Sequence, residues 1–213
     1  MHHDFWHNRW QSNQIGFHLS EANPLLIKHF PALNLPQGAR VFLPLCGKSL
    51  DIHWLLTQGF RVVGAELSSI AVEALFDELK LTLTRTKVGE LVRYSADNID
   101  VFNGDFFALN AETLGKVDAV YDRAALVALP AEMRRRYSSH LSAISQLAPQ
   151  LLVSFDYDQS LIDGPPFSVN AAEIAVHYKK NCQLNLLDRV ELQGGLKGRC
   201  TAHEEIWHLV PTA

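Results

Sequence analysis

The sequence predicts an α/β fold: a mostly parallel sheet of seven strands, helices on both faces and an antiparallel hairpin at the C-terminus. Three observations carry this. The chain starts its regular structure as β-α-β-α, strand-like runs then recur with helical stretches between them, and the end changes to two long strand-like runs joined by a glycine-rich link.

Residues 40–45 (Arg-Val-Phe-Leu-Pro-Leu) are the first short apolar run. The segment Ser49 to Gln58 follows with Leu50, Trp54 and Leu55 at helical spacing and Gly59 as its stop. Arg61 to Leu67 reads as the second strand and Ser69 to Leu79 as the second helix, its apolar positions being Ile70, Val72, Ala74, Leu75, Phe76 and Leu79. Further strands are expected at Ile99 to Asn103, Val117 to Asp122 and Leu151 to Tyr157, with a helix at Ala131 to Leu147. Such alternation implies right-handed crossovers and a parallel sheet covered on both sides. Asn170 and Glu173 form a capping-box pattern opening a helix to about Asn181. The runs Gln183 to Leu192 and Cys200 to Val210 then make the terminal hairpin across Gly194, Gly195 and Gly198.

A length of 213 residues suits one domain, 1–213, with residues 1–35 as an N-terminal helical and aromatic lid. The composition is 47% hydrophobic and 20% charged, without an apolar run near the roughly 18 to 20 residues that cross a bilayer. The start Met1-His2-His3-Asp4-Phe5-Trp6 lacks the pattern of a secretory signal, and Cys46, Cys182 and Cys200 are scattered, odd in number and free of C-x-x-C spacing, so a cytoplasmic protein with thiols is expected. A net charge of −4 with no basic tract argues against nucleic acid as partner. Arg134-Arg135-Arg136 reads as the solvated face of a helix. His2, His3, His7 and His18 lack zinc spacing, so no metal is expected.

In a doubly wound sheet, ligands sit beyond the carboxyl ends of the strands at the point where the strand order reverses. The residues there are Leu45-Cys46-Gly47-Lys48-Ser49 and Glu66. Gly47 lets backbone approach a ligand, and an acid ending the second strand can accept hydrogen bonds from two vicinal ribose hydroxyls; a Glu there can also begin or cap the next helix. A P-loop would need a glycine where Phe42 stands, and a dinucleotide site would need G-x-G-x-x-G, of which a single glycine is present. A nucleoside cofactor without phosphates therefore suits the loop, and S-adenosylmethionine is such a molecule. Gly104-Asp105-Phe106-Phe107 could meet an adenine with an acid and a ring, or form a plain turn with core phenylalanines. Asp122-Arg123 ends the fourth strand, where Arg123 could clamp a ligand or pair on the surface. The aromatics Phe5, Trp6, Trp10 and Phe17 could face a sulfonium and close over a substrate, or pack on the core.

Five strings in order along the chain carry a family resemblance: Phe5 to Trp10 with Gly16-Phe17-His18, Val41 to Asp51, Gly64 to Ser68, Tyr121 to Leu129, and Gly164 to Ser168. The fold layout is similar to that of the seven-stranded class I methyltransferases, and the strings resemble thiopurine S-methyltransferases of bacterial type from about Trp6 to Val210. The resemblance implies S-adenosylmethionine as methyl donor, contacted by Trp10, Leu45, Glu66 and Arg123, with Asp105 and Phe106 beside the adenine. It also implies Phe17 and Arg199 as substrate residues, Arg123 near the substrate's acidic group, and a monomer acting on a small thiol, with selenium and tellurium compounds as further acceptors. An aromatic thiol ionises near neutral pH, so no general base is assigned. A nicotinamide-dependent oxidoreductase and a non-catalytic S-adenosylmethionine-binding protein are the competing readings. Methylation of an amino group on DNA would call for an Asn/Asp-Pro-Pro-aromatic motif where Tyr121-Asp122-Arg123-Ala124 stands; Gly164-Pro165-Pro166-Phe167 is expected to shape a loop over the site.

Overall fold

A computed structural model of the chain describes residues 3–16 and 18–212. The strands are Arg40–Pro44 (β1), Arg61–Glu66 (β2), Thr84–Val88 (β3), Leu91–Ala96 (β4), Ile99–Asn103 (β5), Ala119–Arg123 (β6), Gln150–Tyr157 (β7), Cys182–Glu191 (β8) and Ala202–Pro211 (β9). The helices are His3–Gln11 (α1), Pro24–His29 (α2), Leu50–Thr57 (α3), Ser69–Leu79 (α4), Ala111–Leu114 (α5), Ala131–Ile144 (α6) and Ala171–Tyr178 (α7).

All nine strands form one sheet in the order β3-β4-β5-β2-β1-β6-β7-β9-β8. β5, β2, β1, β6 and β7 run parallel, and an antiparallel hairpin flanks each side of them. The C-terminal hairpin is the one expected from sequence. The other, β3–β4, raises the strand count from the expected seven to nine. β3 is an edge strand of Thr84, Arg85, Thr86 and Lys87, all exposed, so it has no apolar face for periodicity to register. Val88 pairs with Leu91, and Gly89 supplies the positive φ of 60° at the two-residue turn.

Each parallel strand buries both faces. In β1, Phe42 joins the cluster with Val63, Tyr137, Leu152 and Trp207, whereas Val41 and Leu43 join the opposite one with Ile52, Leu75, Phe76 and Val153. Side-chain caps fix the helix starts: Asn23, Ser49, Ser68 and Asn170 accept from Leu25, Asp51, Ala71 and Glu173 amides, each such cap being worth about 1 kcal/mol. The capping box at Asn170 is half made. The Glu173 carboxylate turns instead to Arg134, which donates from Nε at 2.5 Å and Nη2 at 3.1 Å. Arg134 is consequently buried, so the solvated basic face is reduced to Arg135 and Arg136. Helix α6 stops at Ile144 rather than Leu147, because Gln146 and Leu147 take left-handed conformations.

Candidate functional site

The chain leaves β1 toward β2 and β5 on one side and returns to β6 and β7 on the other, so the strand order reverses at β1. A cavity of about 600 Å³ opens at the carboxyl ends of β1, β2 and β6, roofed by α1, the Pro165-Pro166 loop and the terminal hairpin loop.

One end of the cavity is built on backbone. Leu45 and Gly47 have φ of 48° and 53°, which curls the β1–α3 loop back toward β2. There Gly47 N donates to Glu66 Oε2 and Ser68 N donates to Glu66 Oε1, both at 2.8 Å. Glu66 as a whole residue is 6% exposed. Burial raises its pKa, and the amides of Ser68 and Gly47 pull it back down. Each oxygen accepts one of these bonds, and a carboxylate has about four acceptor sites, so Glu66 keeps acceptor capacity in a wall of the cavity. That is the property a pair of ribose hydroxyls requires. A Cβ on Gly47 would lie 3.1 Å from Cζ2 of Trp10, so the glycine admits the indole of α1 against the loop. A Cβ on Gly64 would meet Cys46 Sγ at 2.7 Å, so β2 also accommodates the loop by lacking a side chain.

Asp105 follows β5 and accepts from Phe107 N at 2.9 Å, while its Oδ2 lies 3.8 Å from His3 Nε2. Phe106 is buried, nearly parallel to Phe42 at 6.5 Å and 5.1 Å from the Tyr137 ring. Both residues line the cavity, and the turn reading is met as well: Asp105 caps a 3-10 turn and Phe106 is both core and wall. Trp6 and Trp10 line the same space, with Trp10 buried. Phe17 lies outside the described residues; its neighbour His18 lines the cavity, with its pKa lowered by burial and then by Lys48.

The other end is built on side chains. Arg123 at the tip of β6 donates from Nε to Asp51 Oδ2 at 2.5 Å and from Nη2 to Ser49 Oγ at 2.8 Å. Asp51, 1% exposed in the first turn of α3, also accepts from Asn23 N at 2.7 Å. Asn23 in turn donates from Nδ2 to Glu204 Oε1 at 3.2 Å. Burial opposes the Arg123 charge, but Asp51, Tyr121 and Glu204 outweigh it and hold the guanidinium above its usual range. Asp51 and Glu204 line the cavity and were not among the residues singled out from sequence. A signal existed for Glu204: two adjacent acids in the apolar strand β9 require one of them to point inward, since successive side chains alternate.

The expected hairpin cation is Arg199, but its side chain is exposed and outside the cavity lining. In the turn Leu196 to Cys200 it is Lys197, also exposed, that borders the cavity, where Nζ donates to Pro165 O at 2.8 Å. Pro165 and Pro166 line the cavity, as the loop reading of that string expects. Asp122, adjacent to Arg123, faces the opposite side of the sheet. It is fully buried, accepts from Leu126 N at 3.1 Å and Tyr137 Oη at 2.8 Å, and burial raises its pKa to about 6. Among the described residues no group of three or more His, Cys, Asp or Glu is placed to hold a metal ion, and no helix is long and apolar enough to cross a membrane.

The profile of the family described as Thiopurine S-methyltransferase (TPMT) matches residues 1–207. The chain is 56% identical to a protein of Xanthobacter autotrophicus over 207 residues, covering 97% of each, and 50% identical to one of Teredinibacter turnerae over 205 residues, covering 96% of this chain and 95% of that one; both are named Thiopurine S-methyltransferase. Among solved structures it superposes on a SAM-dependent methyltransferase from Anabaena variabilis with a TM-score of 0.64 at 17% identity, covering 97% and 94% of the two chains. It superposes likewise on the 1,6-didemethyltoxoflavin-N1-methyltransferase of Burkholderia thailandensis, with a TM-score of 0.65 at 14% identity, covering 98% and 87%.

Proposed function

The chain belongs to the thiopurine S-methyltransferase family of S-adenosylmethionine-dependent methyltransferases, and we propose that its acceptors are thiopurines and other aromatic or heterocyclic thiols. The observation that carries this reading is one continuous cavity joining the buried Glu66 carboxylate to the Arg123–Asp51 pair. Glu66 receives the ribose hydroxyls, the backbone at Leu45 and Gly47 lies under the cofactor, Trp10 covers it, and Asp105 and Phe106 take the adenine. S-Adenosylmethionine, when bound, supplies a methyl group on a sulfonium, already activated for in-line displacement. The protein then has to align the acceptor sulfur and exclude water, and orientation of this kind can contribute about 7 to 11 kcal/mol.

Arg123 reaches both ligands in this reading. Because Asp51 balances its charge, it serves as a fixed hydrogen-bond donor rather than as a free anion clamp. Lys197 takes over from Arg199 as the hairpin residue beside the acceptor. A monomer in the cytoplasm, with its three free cysteines, is part of the proposal. The test is turnover with isotope-labelled S-adenosylmethionine against thiopurines, aromatic thiols, selenite and tellurite. Label should enter thiopurines and aromatic thiols; absence of labelled product from every thiol, with the cofactor bound, would contradict the proposal. Label from selenite or tellurite would extend the acceptors to those oxyanions.

A further inference from the structure

The acceptor end of the cavity carries a carboxylate outside its ion pair. Arg123 is matched by Asp51, and Glu204 adds a second carboxylate. The strand register places this group on one face: Arg123 pairs with Val153, Val153 with Ile206, and Phe155 with Glu204, so Arg123, Tyr121 and Glu204 project from the same side of the sheet. Glu204 Oε1 accepts from Asn23, and among the described residues nothing donates to Oε2. The Tyr121 hydroxyl, buried on the same face, has no hydrogen-bond partner among them either. The polar end of this cavity therefore keeps open acceptor capacity on Glu204.

We propose that Glu204 is the proton acceptor for heterocyclic substrates that enter as the thione tautomer, an inference that rests on the thiol-methyltransferase reading above. Thiopurines and related heterocycles carry a ring N–H beside C=S, and the neutral thione must lose that proton to end as a thioether. As sulfur forms its bond to the methyl carbon, the sulfonium C–S bond breaks and its electron pair leaves with the donor. The C=S π pair moves onto the new thioether sulfur, the N–H pair becomes the ring C=N bond, and the proton goes to the Glu204 carboxylate, which later releases it to solvent. An uncharged substrate suits a position beside the Glu204 carboxylate better than a thiolate would. Burial raises the Glu204 pKa, opposed by Asn23 and Arg123, which moves the carboxylate toward the range where it can take a proton. The charged or titratable groups facing it are Arg123 and Tyr121 on β6 and Asp51 on α3; His203 and Glu205 on its own strand face the other side.

The experiment compares wild type with Glu204→Gln on 6-mercaptopurine, which carries the ring N–H, and on benzenethiol, which ionises unaided, over pH 5–9. Calorimetric binding of S-adenosylhomocysteine serves as the control. The amide keeps the size and the Asn23 contact but cannot take the proton. The expected result is at least a tenfold greater loss of kcat/KM on 6-mercaptopurine than on benzenethiol, loss of the acid limb of the 6-mercaptopurine pH profile, and a cofactor affinity within threefold of wild type. Equal losses on both substrates, or an acid limb that persists in the variant, would overturn the role of Glu204 while leaving the enzyme a thiol methyltransferase. A wild type that methylates neither substrate while binding cofactor would overturn the functional reading and this inference together.

Discussion

The two ends of the cavity are made by different means. At the β1–β2 end, Glu66 holds the amides of Gly47 and Ser68, so the site depends on loop backbone and on one acid 19 residues from the glycine. At the β6–β9 end, Ser49, Asp51, Arg123, Asn23 and Glu204 hold one another mainly through side chains, joined by the Asn23 backbone amide, over separations reaching 181 residues. The first arrangement is fixed by the local turn and presents a constant frame. The second can be changed one side chain at a time, which suits the half of a methyltransferase that chooses the acceptor.

Removing a member of each end should separate these constructions. The largest effect is expected for Asp51→Ala, which strips a buried counter-ion from Arg123 and an acceptor from Asn23; breaking a buried pair costs about 3 to 5 kcal/mol. Urea unfolding should show a loss of that size, and a loss under 1 kcal/mol would mean that the cluster is solvated. Gly47→Ala should cost about 1 to 2 kcal/mol, since φ is +53° and the new Cβ meets Trp10 at 3.1 Å. The same variant should weaken cofactor affinity by a comparable amount; wild-type affinity would show that the loop backbone does not approach the ligand.

The smallest effect concerns the far face of β6. The Asp122 pKa is raised to about 6, so the folded chain holds this proton more tightly than the unfolded chain does. Its stabilising contribution is present at acid pH and is lost as the pH rises through about 6. Thermal unfolding of wild type should therefore lose stability between about pH 4 and pH 6, and Asp122→Asn should show a shallower decline. An unchanged slope would assign the pH response to the ionic cluster instead.

The same contrast explains what could be read from the sequence. The β1 loop and the tip of β2 are local, so Leu45, Gly47 and Glu66 stood out from strand order and turn chemistry alone. Helix α4 and strand β5 matched their expected bounds, because Ser69 to Leu79 has a strong apolar stripe and Ile99 to Asn103 is bracketed by turns. Strand β3 was invisible because an exposed edge strand carries no hydrophobic pattern, and in β4 the buried Leu91 and Tyr94 stand three apart, out of step with a strand's alternation. Asp51 and Glu204 escaped notice because nothing near them in sequence announces a partner; their meaning arises when α2, α3, β6 and β9 converge. Arg199 and Lys197 differ by two residues, and a two-residue choice in a glycine-rich turn depends on backbone conformation that composition does not specify. Arg134 likewise reads as one of three surface arginines until α7 brings Glu173 to it.

The most direct test of the account is a calorimetric titration of S-adenosylmethionine into wild type and Glu66→Ala, with circular dichroism to show that both are folded. Loss of charged hydrogen bonds at this position should weaken binding by about 1.5 to 3 kcal/mol, at least tenfold in affinity. A folded Glu66→Ala whose affinity stays within twofold of wild type would contradict the placement of the cofactor at the β1–β2 end.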